Sequence, residues 1–248
     1  MPDKKAAIIL AAGKGERMKS DTPKVLHEVK GRPLIDILME TLTSMDFDRI
    51  VVVIGYKGEM VKKALEKHPV SFVWQKEQLG TGHAVMMARE ALADFDGVTL
   101  VALGDVPFLS EASINQLLAS FRDTRAVASC LSAILDDPKG YGRIVRDGDS
   151  DILKAIVEHK DASKDVLRVN EINTGTFCFD TKQLFEALDQ IGNENAQGEY
   201  YLTDTIKVMN SKGLRVSVVA AEDPDEVRGV NSAEQLEYLA RHFADKLS

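Results

Sequence analysis

An α/β architecture, a largely parallel sheet with helices on both faces, is what this sequence predicts, and three observations carry it. Short apolar runs rich in β-branched residues recur at 6–10, 49–54, 70–74 and 98–103, each the length of a strand buried on both faces. Segments with helical spacing of apolar residues alternate with them. The first run also feeds a small, glycine-containing, basic loop, and ligands of open α/β sheets lie past the carboxyl ends of the strands.

The elements follow in order. Pro33 sits where helices start, and Leu34, Ile35, Leu38 and Leu42 make one apolar face. Residues 58–67 read as a helix with Met60, Val61, Ala64 and Leu65 inward. Residues 81–92 read as a helix with a small-residue start, and 110–121 as one capped by Ser110. Then the character changes. Residues 126–135, 143–146, 152–158 and 170–179 are strand-like, and Asp136-Asp137-Pro138-Lys139-Gly140 and Asp147-Gly148-Asp149 are turn-prone separators. Helices near 181–191 and 201–211, a strand at 214–220 and a final helix from 232 to about 247 complete the chain. Leu236, Leu239, Ala240 and Phe243 lie on one side of that last helix. Packing on the domain is its default; it is also a candidate surface for self-association. No fixed-period repeat and no Pro-, Gly- or Ser-rich linker divides the chain. One domain over 1–231 is expected, with the helix at 232–248 after it.

Bulk properties narrow the function. The 248 residues are 44% hydrophobic and 28% charged, ample for a core and unlike a disordered chain. Net charge is −8, from 31 basic and 39 acidic residues, which argues against a nucleic-acid reader. An anionic ligand must then be held by a local positive site. Cys130 and Cys178 lie far apart in apolar surroundings without metal-ligand spacing, and read as buried free thiols in a reducing compartment. No secretory segment precedes the first strand and no apolar run is long enough to span a bilayer, so a soluble cytoplasmic protein without membrane contact is expected.

The loop after the first strand runs Leu10-Ala11-Ala12-Gly13-Lys14-Gly15-Glu16-Arg17-Met18-Lys19-Ser20-Asp21-Thr22-Pro23-Lys24. Ala11, Ala12, Gly13 and Gly15 keep side chains out of the way, so backbone N–H groups can converge on an anion, while Lys14, Arg17 and Lys24 add positive charge. A polyphosphate needs this combination. Met18 stands where a dinucleotide fingerprint requires its third glycine, and GxxxxGK followed by Ser or Thr is absent, so neither common phosphate loop is present. The bland alternative is an ordinary strand-to-helix turn.

Further segments fall at strand ends. In Gln75-Lys76-Glu77-Gln78-Leu79-Gly80-Thr81-Gly82-His83, Gln75 has the donor and acceptor to pair with a base edge, Gly80 would let the backbone lie against the base, and Thr81 can donate to it. A helix N-cap at Thr81 would explain the same residues without a ligand, and His83 has no chemical role in this reading. Asp105, after Gly104, offers a carboxylate suited to Mg²⁺, or is a simple turn residue. Asn231 could complete a metal shell with its amide oxygen, or is a helix cap. Gly142, Glu158 and Asn173 end strands with polar groups of the kind a sugar cavity needs, and the segment 197–204 borders the same region; hairpin turns and a solvated charge cluster are the alternatives.

Taken together, Leu-Ala-Ala-Gly-Lys-Gly, Arg17-Met18, Pro-Lys-Val-Leu-His, Glu-Gln-Leu-Gly-Thr-Gly-His-Ala, Gly-Asp-Val-Pro, Gly-Tyr-Gly-Arg-Ile, Val-Glu-His-Lys-Asp-Ala, Glu-Ile-Asn-Thr-Gly and Gln-Gly-Glu-Tyr-Tyr resemble the sugar-phosphate nucleotidyltransferases. The likeness is to the uridyltransferase half of the bacterial bifunctional enzymes that make UDP-N-acetylglucosamine, and it covers nearly the whole chain. The resemblance implies a Rossmann-like nucleotide-diphosphosugar transferase fold, with a nucleotide half to about residue 125 and an acceptor-sugar half over 126–231. It implies Mg²⁺-dependent reaction of UTP with N-acetylglucosamine 1-phosphate, giving UDP-N-acetylglucosamine and pyrophosphate. By motif, Leu10, Ala11, Ala12 and Gly13 hold the nucleotide, and Arg17 and Lys24 face its phosphates. Gln75, Gly80 and Thr81 read uracil. Gly104 and Asp105 lie at the nucleotide and metal, Asn231 is the second metal ligand, and Gly142, Glu158 and Asn173 hold the sugar. The catalytic set is then Arg17, Lys24 and Asp105.

Two departures stand out. Leu103 replaces the family's usual Tyr before Gly-Asp, and the β-helical acetyltransferase half of those enzymes has no counterpart in these 248 residues, so acetyl transfer is not expected of them. The alternatives are a sister enzyme using another base or sugar, and a catalytically silent nucleotide-binding regulatory subunit. The presence of Lys24, Asp105 and Asn231 weighs against the latter.

Overall fold

The computed structural model describes residues 4–15, 18 and 20–244. Its strands are β1 (Lys5–Ala11), β2 (Glu28–Val29), β3 (Arg32–Pro33), β4 (Arg49–Ile54), β5 (Ser71–Trp74), β6 (Val98–Leu103), β7 (Ala128–Ile134), β8 (Arg143–Arg146), β9 (Leu153–Val157), β10 (Glu171–Asp180) and β11 (Val216–Ala220). Its helices are α1 (Leu34–Thr43), α2 (Gly58–Ala64), α3 (Thr81–Met86), α4 (Glu111–Asp123), α5 (Thr181–Leu188), α6 (Asp204–Ser211) and α7 (Ala233–His242).

The main sheet runs β11-β7-β10-β6-β1-β4-β5. It is parallel from β6 through β5, and again between β11 and β7. β10 is the exception: it runs antiparallel to both β6 and β7, and joins the second half of the chain to the first. β8 and β9 form an antiparallel flap that attaches through the Ile172–Arg143 pair.

Alternation along β1 shows why the sheet is covered on both faces. Ala7, Ile9 and Ala11 pack with α1 residues Ile35, Leu38, Met39 and Leu42. Ala6, Ile8 and Ala12 pack on the opposite face with Ala84, Val85 and α5 residues Leu184 and Leu188. A third cluster, Val29, Leu34, Ile37, Phe108, Val230, Leu239 and Phe243, seats α7, with the Phe108 and Phe243 rings stacked 4.3 Å apart. Leu236 and Ala240 pack against that cluster, so the apolar side of α7 faces its own domain.

Several elements are shorter than their patterns suggest. α3 ends at Met86 because the backbone tightens: Met87 N–H bonds both His83 and Ala84 carbonyls, and a 3₁₀ turn follows at Glu90–Leu92. α2 ends at Ala64, and Met60, expected inward, is 46% exposed. Val61 and Leu65, one turn apart, take the single core-facing stripe that so short a helix offers. α6 begins at Asp204 rather than 201, and the described part of α7 ends at His242. The β2–β3 ribbon was not evident from sequence. Its turn residues, Lys30 and Gly31, both have positive φ, a hairpin geometry that Asn-Gly signals more clearly than Lys-Gly.

Both thiols are fully buried and unpaired, and burial pushes Cys130 and Cys178 well above the ordinary thiol range, so neither is a nucleophile. No helix among the described residues is long and apolar enough to cross a membrane.

Candidate active site

The chain leaves β1 toward β4 and β5 on one side and returns to β6 on the other. The crevice between the carboxyl ends of β1 and β6 is therefore where an open α/β sheet binds ligands. Leu10 and Leu103 are register partners there, and Gly104 N–H donates to Leu10 O at 2.9 Å. Ala11 and Ala12 are 2% and 4% exposed, so their side chains point into the core and leave the main chain to face the crevice. Leu10, Ala11, Ala12, Gly13, Lys24, Gln75, Gly80, Thr81 and Asp105 line one cavity of about 310 Å³. Arg17, expected beside Lys24, lies outside the described residues. Gly104 precedes Asp105 where a Cβ would crowd Leu10 O, Ile35 Cδ1 and Val25 Cγ1 at 3.2 Å.

Lys24, 81 residues from Asp105 and 207 from Asn231, joins them in space. Its Nζ is ion-paired with Asp105 Oδ2 and donates to Asn231 Oδ1 at 2.7 Å. Asn231 Nδ2 donates to Gly229 O at 3.1 Å, which turns the amide oxygen toward the cation. Val230 N–H donates to Asp105 O at 3.0 Å and ties the two segments together. A carboxylate and a neutral amide oxygen thus converge on one positive charge. That donor set is hard, all oxygen, and small in number, which suits Mg²⁺ with the remaining positions left to phosphates and water.

Gln75 is 3% exposed, and both its N–H bonds are committed, Nε2 lying 3.0 Å from Gly80 O and 3.0 Å from His83 Nδ1. Only its oxygen is left uncommitted, so Gln75 can offer an acceptor, not the donor–acceptor pair expected from its type. His83, for which the sequence suggested no role, orients this amide. Gly80 also differs from expectation. It has φ +108°, and a Cβ there would meet Tyr200 O at 2.5 Å, so its small size admits the 199–200 segment. Thr81 is not the N-cap: Gly80 is, and Thr81 Oγ1 accepts from Leu202 N–H at 3.1 Å.

A second cavity of about 310 Å³ is lined by Gly142, Glu158 and Asn173 together. Asn173 lies where β10 shifts register against β7, between Asn173 and Thr176; such a bulge re-aims side chains. Asn173 Oδ1 accepts from Gly175 N–H at 2.9 Å, leaving its NH₂ as the free end. Thr203 Oγ1 donates to Glu158 Oε1 at 3.1 Å. Burial nevertheless pushes the Glu158 carboxyl above the ordinary range, the Thr203 bond opposes this, and nearby Asp161, Asp204 and Glu199 reinforce it.

The two cavities share Leu10, Lys24, Thr81, Leu103 and Asp105, so they meet at the Lys24 cluster. A third, larger space of about 640 Å³ adjoins it, lined by Gly13, Gly15, Lys24, His159, Lys160 and Gln197. Lys160 Nζ donates to Gln197 Oε1 at 2.7 Å, holding the loop after β9 to the 195–199 segment.

Thr203 lines the cavity from within the bordering segment 197–204, whereas sequence reasoning missed Gln235 as a lining residue and gave Leu103 no place. Leu103 packs against Gly175, whose φ is +79° and where a Cβ would come within 2.6 Å of Leu103 Cδ1. The strand-end position of Leu103 was a usable signal. Nothing local marks Gln235, which reaches the site only because α7 docks beside it.

Residues 7–204 match the family model described as the MobA-like NTP transferase domain. The chain is 47% identical over 232 residues to the bifunctional protein GlmU of Clostridium novyi (strain NT), covering 94% of this chain and 50% of that protein. Against GlmU of Streptococcus mutans serotype c it is 50% identical over 225 residues, 91% of this chain and 49% of the other. The chain spans about half the length of these curated relatives, and the resemblance read from its motifs holds for that half. A UDP-glucose pyrophosphorylase solved with UDP-glucose superposes with TM-score 0.77 at 18% identity, covering 98% of this chain and 99% of that one. A nucleotidyl transferase from Methanothermobacter thermautotroptrophicus superposes with TM-score 0.66 at 18% identity, covering 99% and 100%. These two share the Rossmann-like fold.

Proposed function

Because the chain belongs to the MobA-like NTP transferase domain family, we propose that it transfers a uridylyl group from UTP to N-acetylglucosamine 1-phosphate, releasing pyrophosphate, in the cytoplasm. The single observation that carries this reading is the meeting of two cavities at one cation held by Asp105 and Asn231. A transfer between two bound phosphates needs such a junction.

The nucleotide half, to about residue 125, takes UTP in the first cavity. Leu10 to Gly13 turn main chain toward the triphosphate, and Gln75 Oε1 accepts from the N3–H of uracil. The acceptor half, 126–231, takes the sugar in the second cavity, where Glu158 accepts from hydroxyls and the Asn173 NH₂ donates. The third space receives pyrophosphate beside Gly13, Gly15, Lys24 and Lys160.

Asp105 and Asn231 would hold Mg²⁺. The Lys24 ammonium already sits between their oxygens, which is the test of fit that this chain supplies. When bound, the ion supplies neutralisation of phosphate charge. Lys24 then turns to the phosphates with Arg17. The acceptor phosphate oxygen is an anion near neutral pH, so its in-line attack on the α-phosphorus needs no general base. Positioning and charge neutralisation by the chain carry the catalysis.

The test is to incubate the protein with each nucleoside triphosphate and several sugar 1-phosphates plus Mg²⁺, and to follow pyrophosphate release. Release with UTP and N-acetylglucosamine 1-phosphate is expected. Release with another pair alone would reassign the substrates, and silence in every combination would make the chain a nucleotide-binding regulatory unit.

A further inference from the structure

Gln235 stands three residues after Ser232, the N-cap of α7, and its N–H donates to Ser232 Oγ at 3.2 Å. That is one half of a capping box. In the usual reciprocal half the N3 side chain reaches back to the N–H of the cap residue. Here Gln235 Oε1 instead accepts from the N–H of Asn231, one residue earlier, at 2.7 Å. Asn231 is thereby held by its main chain from α7 and by its side chain from Gly229 O and Lys24.

This contact also fixes which way the Gln235 amide points. An N–H can be met only by the oxygen, so the NH₂ end is the part left for a ligand. Gln235 lines the second cavity at the end occupied by Lys24, Asp105 and Asn231. Under the nucleotidyl-transfer reading, on which this inference rests, that end receives the acceptor's phosphate. A neutral NH₂ donor there adds a hydrogen bond to a phosphate oxygen without competing for the Asp105 carboxylate.

We propose that Gln235 belongs to the site in two ways: its carbonyl oxygen positions Asn231 for cation binding, and its NH₂ donates to the acceptor phosphate.

Three variants separate these roles: Gln235→Glu, Gln235→Ala and Ser232→Ala. Two readouts are used, Mn²⁺ binding to the protein with UTP, measured as the loss of the free-ion EPR signal beyond that caused by UTP alone, and KM for N-acetylglucosamine 1-phosphate. Gln235→Glu keeps an oxygen for Asn231 N–H but replaces the donor with a negative charge. Mn²⁺ affinity should stay within about twofold of wild type while KM rises about tenfold or more, the scale of a lost hydrogen bond to a charged group. Gln235→Ala should weaken Mn²⁺ binding about fivefold or more and raise KM as well. Ser232→Ala removes only the cap and should lower the thermal midpoint without moving either readout. The proposal is overturned if Gln235→Ala matches wild type in both readouts, or if Gln235→Glu loses Mn²⁺ as Gln235→Ala does. A wild-type protein that takes up no Mn²⁺ with UTP and releases no pyrophosphate would overturn the parent reading and this assignment with it, and the difference is visible before any variant is made.

Discussion

Lys24 Nζ lies 2.7 Å from Asn231 Oδ1 while paired with Asp105, so a cation from the loop after β1 is clasped by oxygens from the end of β6 and from the segment leading into α7. Three parts of the chain far apart in sequence must all be in place for that contact to exist. It is the point at which the first and second cavities touch.

Removing the cation should separate binding from turnover. Lys24→Ala is expected to lower kcat by ~100-fold or more, the usual cost of losing a charge partner to the transition state. Asp105→Ala should abolish Mg²⁺-dependent turnover, since the proposed ion site would lose its one carboxylate. Steady-state rates across a Mg²⁺ titration check both; near-wild-type turnover in Lys24→Ala would remove it from the mechanism.

Glu158 makes opposite demands on stability and function. Its pKa is raised in the folded protein, so the fold binds the proton more tightly than the unfolded chain does. Stability from this group is therefore greatest when it is protonated, and falls as pH rises from the ordinary carboxylate range through the raised folded value. Glu158→Gln removes that dependence and should raise the thermal midpoint at neutral pH, while KM for the sugar phosphate increases. Wild-type KM should itself increase as pH falls through the raised pKa, because a protonated carboxyl accepts hydroxyls poorly. Thermal melts and KM against pH read the two effects separately.

Gly80→Ala is expected to be costly. The added methyl would meet the Tyr200 carbonyl at 2.5 Å, with φ at +108°. Strain in such a backbone region is of order 1–3 kcal/mol before any clash is relieved. Urea unfolding should show a lower midpoint, and KM for UTP should rise as the 199–200 segment is displaced from the nucleotide cavity.

His83→Ala should raise KM for UTP with little change in kcat. It leaves one Gln75 N–H without its acceptor at a buried position, which costs about 1–3 kcal/mol and frees the amide to turn. Thermal denaturation and a kcat–KM split would show it. An equal fall in kcat would instead place His83 near the reacting atoms.

Truncating Phe243 should loosen α7. Its ring is 5% exposed and stacks on Phe108, so Phe243→Ala is expected to cost ~3–5 kcal/mol. Because α7 carries Gln235, whose Oε1 accepts from Asn231 N–H, apparent Mg²⁺ affinity should fall with stability. Thermal melts combined with a Mg²⁺ titration test that coupling.

The sequence by itself determined which apolar runs become buried strands and where the glycine-containing basic loop follows the first of them. Alternation along β1 and the β-branched runs at β4 and β6 leave few other ways to bury those residues, and local pattern is enough to read them. Motif resemblance singled out Asp105 and Lys24, which the fold brings into one ion pair. Tertiary structure alone decided the rest. The free end of Gln75 depends on His83 and on the Gly80 carbonyl. The need for glycine at position 80 comes from Tyr200, 120 residues away in the chain. The place of Gln235 depends on a helix seated by Phe108 and Val230. Each is set by a partner that local sequence cannot name, because hydrogen bonds and close approaches are properties of pairs, and the pairing exists only once the sheet has brought the segments together.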